Sequence, residues 1–191
     1  AFLNDIVKKE YITHPGVILR KLRKEIVRVL NQRGDSESFE MQMKDGMDIA
    51  VVTIDPENHE LQFAGANNPI YVTSSHDSTT LSASGTILHE IRPDKMPISI
   101  YDVMDKFTNH ELKYQKGDCL YLFSDGIIDQ FGGPKGKKFK AAQFKEFFIE
   151  NATNDMNCQK INLEKKLDDW MNSYGFEHAQ TDDITVIGIR L

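Results

Sequence analysis

The sequence predicts a layered α+β domain, and three observations carry that prediction. Predicted elements fall in the order helices, a run of strands, helices and one last strand, an order that suits an antiparallel sheet system covered by helices. The β-prone runs in the middle of the chain are joined by turns rich in Asp, Asn, Pro and Gly, which reverse the chain tightly enough for antiparallel pairing. Two apolar runs, residues 119–123 and 184–189, each abut carboxylates, one at its end and one at its start. Two such strands laid antiparallel bring both sets of acids to one sheet edge.

Residues 1–10 are apolar at helical spacing but lack a cap, and read as an interrupted helix. Thr13 is a plausible N-cap and Pro15 suits the first turn of a helix running to Arg33. Ile18, Leu22, Ile26 and Val29 share one face of that helix, with Arg and Lys elsewhere, so it should lie on a sheet. Its basic flank suits solvent, or a docking partner.

Residues 34–45 form a polar loop. Strands follow at 47–54 and 60–66, joined by a turn at 55–59 in which Asp55 is a turn residue. The run Asp55-Pro56-Glu57-Asn58-His59-Glu60 has carboxylates like a calcium loop but lacks the central glycine and the terminal glutamate at the required spacing. Gly65-Ala66-Asn67-Asn68-Pro69 is a tight connection into a strand at 70–73. Residues 76–85 are Ser/Thr-rich and predicted to be a mobile tip. Strands at 87–91 and 107–114 flank a loop at 93–105.

Residues 129–139 are glycine-rich and basic and precede a helix at 141–151. A P-loop needs four residues between its glycines and then Lys-Ser or Lys-Thr, whereas three separate Gly132 from Gly136 and Lys138 follows Lys137, so nucleotide binding is disfavoured. Lys135 and Lys137 either draw a phosphorylated substrate towards an acidic site or form a solvated loop. A last helix at 158–174 has Ile161, Leu163, Leu167, Trp170 and Met171 as its buried stripe. Residues 175–180 then lead into the terminal acids, with His178 a candidate to orient a ligand from outside the first coordination sphere.

Composition narrows the function. A chain of 191 residues, 40% hydrophobic and 27% charged, describes one domain over residues 1–191. A formal charge of −6 disfavours nucleic acid as partner and favours a folded protein or a small phosphoester. The two cysteines make no disulfide framework and suit reduced thiols in a cytoplasmic protein. The longest largely apolar run, residues 49–54, falls far short of the ~20 residues of a membrane span.

The chemistry concentrates at Asp125. The stretch Lys116-Gly117-Asp118-Cys119-Leu120-Tyr121-Leu122-Phe123-Ser124-Asp125-Gly126 is an apolar strand that stops on a carboxylate, and Gly126 permits a sharp turn there. The bland reading is a strand-ending turn. The terminal Thr181-Asp182-Asp183-Ile184-Thr185-Val186 changes the balance, because Asp125 and Asp182 can then converge, and converging carboxylates without a fixed cationic partner suit a hard cation.

These residues resemble the metal-dependent protein serine/threonine phosphatases, the PPM family, in its bacterial sporulation-stage-II-E-like branch. The likeness takes in residues 117–126, the terminal Asp-Asp-Ile-Thr-Val, Asp45-Gly46-Met47-Asp48-Ile49-Ala50 and Ala64-Gly65-Ala66-Asn67-Asn68-Pro69, in the family's order and over nearly the whole chain. It implies an α-β-β-α sandwich of two antiparallel sheets flanked by helix pairs. It also implies Asp125 and Asp182 as metal-binding catalytic carboxylates, Asp183 as an outer or alternate ligand, Gly126 as the close-packing turn, and Asn67 as a weaker candidate to orient water or substrate.

The implied activity is hydrolysis of phosphoserine or phosphothreonine on a regulatory protein by a water bridging two Mn or Mg ions, with no covalent phosphoenzyme. The implied partners are an anti-anti-sigma-like phosphoprotein and an upstream sensor domain. The family's Asp-x-Ser/Thr-Gly-His-Gly motif, which supplies the bridging carboxylate, would lie upstream of Ala1 and is absent. The expectation is therefore an N-terminally truncated domain lacking one metal ligand, active only in a longer chain. Its exposed sheet edge, with unmet hydrogen bonds on the strand leading to Asp125, should favour a homodimer or leave residues 1–10 poorly packed. A non-catalytic phosphoprotein-binding module on the same scaffold is the alternative.

Overall fold

The structure, a computed structural model, describes residues 2–33, 46–74, 85–99, 105–172 and 178–191. The predicted loop at 34–45 and most of the predicted tip at 76–85 lie outside them. In chain order the elements are α1 (Phe2–Asn4), a π-helical stretch (Asp5–Lys9), α2 (Pro15–Arg33), β1 (Ile49–Asp55), β2 (Glu60–Ala66), β3 (Ile70–Ser74), β4 (Ile87–Ile91), β5 (His110–Lys113), β6 (Cys119–Phe123), α3 (Gly126–Asp129), β7 (Phe131–Gly132), β8 (Lys137–Lys138), α4 (Lys140–Asn151), α5 (Met156–Asn172) and β9 (Val186–Arg190). They divide into two compact units, residues 1–69 with 91–114 and residues 70–90 with 115–191.

The first unit carries the sheet β1-β2-β5, with α2 packed on β1 and β2. The β1–β2 hairpin runs in register from Ile49↔Ala66 to Asp55↔Glu60. Asp55 closes its turn by accepting the Glu57 and Asn58 amides at 3.0 Å, so it is a turn residue as expected. Helix α2 starts at Pro15, where a missing N–H costs nothing, and the His14 carbonyl accepts from Val17 and Ile18. Thr13 therefore stands one residue outside the capping position.

The buried face of α2 is Ile18, Leu19 and Leu22, with Ile26 at its margin, so the stripe is wider than the sequence pattern suggested. Arg23 joins it: its guanidinium donates to the Asp105 carbonyl at 2.6 Å and lies over the Phe107 ring, and burial lowers its pKa. Ile6 of the π-helical stretch is 2% exposed and belongs to the same core, so the N-terminal segment is anchored rather than poorly packed.

The second unit carries the sheet β4-β3-β6-β9. Strand β6 is interior, antiparallel to β3 on one side and to β9 on the other. Its N–H and C=O groups are thus met from within the chain, contrary to the expectation of unpaired groups there, and the ground for an edge-to-edge homodimer through this strand goes with it. Alternation along β6 sends Cys119, Tyr121 and Phe123 into a cluster with Tyr71 and with Phe144, Phe147 and Phe148 of α4. The Tyr121 and Phe148 rings stack at 3.8 Å, and the Tyr121 hydroxyl donates to Gln159 of α5 at 2.9 Å.

Leu163, Leu167 and Trp170 flank this core, whereas Ile161 is 55% exposed and leaves the predicted stripe. The predicted strand at 107–114 shortens to β5, with Phe107 and Tyr114 buried beyond its ends. Both cysteines are free thiols. No helix of the described residues is long and apolar enough to cross a membrane.

Tyr71 and Tyr121 generate a pH dependence. Burial holds both phenols well above their ordinary value of 10.0, with Glu90 adding to the effect on Tyr71. The folded state therefore keeps these protons more tightly than the unfolded chain does. That stability is fully present below about pH 10 and is lost as pH rises further. Spectrophotometric titration above pH 10 should show a late phenolate step coincident with loss of far-UV circular dichroism. A single reversible ionisation of every tyrosine with the fold intact would contradict this.

Candidate functional site

Strand β6 stops at Asp125 because the backbone there turns helical (φ −69°, ψ −18°), and the Asp125 carbonyl accepts from Ile128 at 2.9 Å and Asp129 at 3.0 Å as α3 begins. The Asp125 side chain makes no capping bond. It is exposed, and no hydrogen bond or ion pair engages its carboxylate among the described residues.

The β6–β9 register decides what lies opposite. Phe123 pairs with Val186, and the ladder extends one step as the Ser124 amide donates to the Thr185 carbonyl at 3.0 Å. The Ser124 hydroxyl fastens this step, donating to the Asp183 carbonyl at 2.8 Å and accepting from the Thr185 amide at 2.9 Å. Gly126 then lies against the acids: a Cβ there would stand 2.4 Å from the Asp183 carbonyl oxygen and 3.4 Å from the Asp182 carbonyl carbon. Only glycine admits that approach. Asp125, Asp182 and Asp183 are thus exposed at one end of one strand pair.

The segment before β9 has no regular structure and is held by side chains. Gln130, fully buried just after α3, donates from Nε2 to the Ala179 carbonyl at 3.0 Å and accepts the Thr181 amide on Oε1 at 3.3 Å. Its own carbonyl accepts from the Phe139 amide at 2.9 Å and from the Trp170 indole at 3.2 Å. Gln180 donates to the Asp182 carbonyl, and Asp182 accepts the Asp183 amide at 2.7 Å. Gln130 and Ser124 went unread in the sequence. A glutamine directly after a short apolar helix was the only available signal for the first.

The other candidates are placed differently. Asn67 belongs to the first unit and sits in the left-handed region (φ 59°); its side chain donates to Asp48 at 2.8 Å and its amide to the Asp94 carbonyl at 3.0 Å. Lys135 and Lys137 lie on the β7–β8 hairpin, exposed. The His178 ring meets the hairpin turn, 3.4 Å from the Cβ position of Gly136, and its amide donates to the Met171 carbonyl.

The donors at this edge are all oxygen, anionic and water-exposed, and none is neutralised by Lys, Arg or His among the described residues. That chemistry fits Mg or Mn, which are held by one or two carboxylates and keep several waters. Among the described residues no group of three or more His, Cys, Asp or Glu is arranged to hold a metal ion.

The close approach at Gly126 has a measurable consequence. Gly126→Ala must push the Asp182–Asp183 backbone away and should cost about 1–3 kcal/mol in urea unfolding, as overpacking of a close contact does. An unchanged midpoint would show that the segment yields freely.

Comparison with known proteins follows this geometry. A family model described as stage II sporulation protein E (SpoIIE) matches residues 3–191. Among solved structures, the chain is similar to the SiaA-PP2C domain of Pseudomonas aeruginosa, at 22% identity and a TM-score of 0.79, over 99% of this chain and 65% of that one. It is also similar to the phosphatase domain of the cell fate determinant SpoIIE from Bacillus subtilis, presoaked in Mn, at 18% identity and a TM-score of 0.53, over 91% of this chain and 70% of that one. A third is the structure of RsbU and RsbW domains of a Mycobacterium tuberculosis protein, at 15% identity and a TM-score of 0.55, over 90% of this chain and 46% of that one. The chain thus spans less than two thirds of the length of the SiaA domain, and identities this low speak for the fold alone. Comparison with curated proteins gives no match. On the family model the chain belongs to the SpoIIE (stage II sporulation protein E) family, and it shares the mixed α and antiparallel-β fold of the PP2C domain it resembles.

Proposed function

We propose that this chain is the major part of a metal-dependent phosphatase domain that hydrolyses phosphoserine or phosphothreonine on a regulatory protein. The observation that carries the reading is the packing of Gly126 against Asp182–Asp183, which ties three solvent-facing carboxylates, without an ion-pair partner among the described residues, to one strand-pair end.

In this reading Asp125 and Asp182 hold metal, and Asp183 serves as an alternate ligand or supports one. A pair of Mn or Mg ions supplies, when bound, charge neutralisation at phosphorus and acidification of water. The Mn presoak of the B. subtilis SpoIIE domain supports that choice of ion. The chain's own residues position. Ser124 and Gln130 fix the backbone that bears Asp182 and Asp183 through neutral hydrogen bonds, which leave the charge of the carboxylates uncompensated. The setting is regulatory: solved relatives include SpoIIE with a fragment of its regulatory domain and RsbU with RsbW domains, which supports a phosphorylated regulator of the anti-anti-sigma kind as partner.

Hydrolysis of a phosphoserine peptide by the full protein, followed with Mn, with Mg and with EDTA, tests this. Activity should need the metal, and Asp125→Asn should lower turnover by at least about 100-fold. The unfolding midpoint should barely move, because the Asp125 carboxylate has no protein partner to lose. Metal-independent turnover would overturn the metal-dependent mechanism, and phosphopeptide binding with no turnover under any metal would replace the reading with that of a binding module.

A further inference from the structure

The glycine-rich basic stretch after α3 resembles no nucleotide loop, and its structure gives the glycines another use. Strands β7 and β8 form a two-pair ribbon, Phe131↔Lys138 and Gly132↔Lys137. Its turn is closed by the Gly136 amide on the Gly133 carbonyl, with both glycines at positive φ. One side of the ribbon is flush with the end of α5. The Gly133 amide donates to the Trp170 carbonyl at 2.7 Å, and a Cβ on Gly132 or Gly133 would collide with Trp170 at 2.1 or 2.5 Å. Phe139, directly after the ribbon, is buried edge-on against the same indole. The hairpin is therefore seated rather than loose.

Its charge is unlike the rest of the chain. From Gln130 to Lys145 the sequence carries Lys135, Lys137, Lys138, Lys140 and Lys145 and neither Asp nor Glu, in a protein of net charge −6. Lys138 is paired with Asp129 at 2.9 Å and Lys145 with Glu90 at 3.0 Å. Lys135, Lys137 and Lys140 are exposed and have no ion-pair partner among the described residues. This cationic surface is joined to the acid-bearing segment. Phe139 bonds the Gln130 carbonyl, the Gln130 side chain bonds Ala179 and Thr181, and Asp182 is next. One backbone pairing of ~4.8 Å between Gln130 and Phe139, the Gln130 side chain and a lysine stem put the Lys137 ammonium on the order of 10–15 Å from that segment, the span of about three to five residues of extended peptide at ~3.3 Å each.

We propose that the hairpin Phe131–Lys138 is a docking surface for an acidic stretch of the phosphoprotein substrate, with Lys135 and Lys137 meeting carboxylates about three to five residues from the phosphorylated side chain. The proposal rests on the phosphatase reading and adds the substrate's flanking chemistry to it.

The test uses two fluorescein-labelled phosphoserine peptides of equal length, one with glutamates and one with glutamines about three to five residues from the phosphoserine. Anisotropy with the full protein in EDTA should show the glutamate peptide bound about three- to tenfold tighter at low salt. That preference should vanish in about 0.5 M NaCl and in the double variant Lys135→Gln, Lys137→Gln. Equal binding of the two peptides, binding of neither, or full discrimination by the variant would overturn the proposal. So would tighter binding of phosphatidylserine vesicles or of an RNA oligonucleotide than of the glutamate peptide, since the surface would then belong to a membrane or to nucleic acid. The catalytic reading fails separately: discrimination in EDTA without hydrolysis in Mn leaves the docking surface standing, and hydrolysis without discrimination leaves only the phosphatase.

Discussion

The antiparallel pairing of β6 with β9 is the constraint on which the second unit and its acids depend. An antiparallel pair sets the end of one strand beside the start of the other, so a carboxylate after β6 and carboxylates before β9 meet without any further device. Register makes the meeting specific. A slip by one residue would turn Cys119, Tyr121 and Phe123 away from Phe144 and Phe148, and would take Gly126 out of line with Asp183. The aromatic cluster under β6 and the open carboxylates at its end are thus fixed by the same choice of register.

The acids are positioned by neutral groups, and this bears on what they are free to do. A lysine or arginine holding the segment before β9 would also have neutralised its carboxylates. Here a serine hydroxyl binds the Asp183 carbonyl and the Thr185 amide, while a buried glutamine amide binds Ala179 and Thr181. Each bond engages backbone, and being buried, Gln130 can be left with no unmet polar atom only if the segment stays where it is. The result is an ordered backbone carrying unpaired negative charge, which is what a cation site made of oxygen requires.

Much of this was legible because it is local. The β1–β2 hairpin, β4 and the start of α2 follow from periodicity and turn residues within a few positions, and Asp125 announces itself by ending an apolar run. What escaped was non-local or side-chain specific. Gln130 meets partners 49 and 51 residues away, and Ser124 meets Asp183 at a separation of 59, so neither spacing leaves a mark in the sequence. Arg23 is buried by lending its guanidinium to a carbonyl and a ring, which a scale that counts arginine as polar misplaces. Ile161 is apolar but lies on the opposite side of α5 from Leu163 and Trp170, so it faces solvent while its neighbours Gln159 and Leu163 meet the core. The strand leading to Asp125 finds both its neighbours, β3 and β9, among the chain's own apolar runs, so no strand from outside is needed to pair it.

The glycines of the hairpin show how one composition serves unrelated ends. In a phosphate-binding loop glycines bring backbone N–H groups up to a ligand. Here Gly132 and Gly133 bring backbone up to an indole, and the lysines are left outside. Carboxylates alone after β6 and before β9 repel a phosphate dianion, and their field reaches about a Debye length, ~8 Å at physiological salt. On the proposed reading, a rigid cationic ribbon hydrogen-bonded to the acid-bearing segment offsets that repulsion for a substrate long enough to touch both. A small phosphoester gains little from it, and a protein segment with acids beside its phosphoserine gains most.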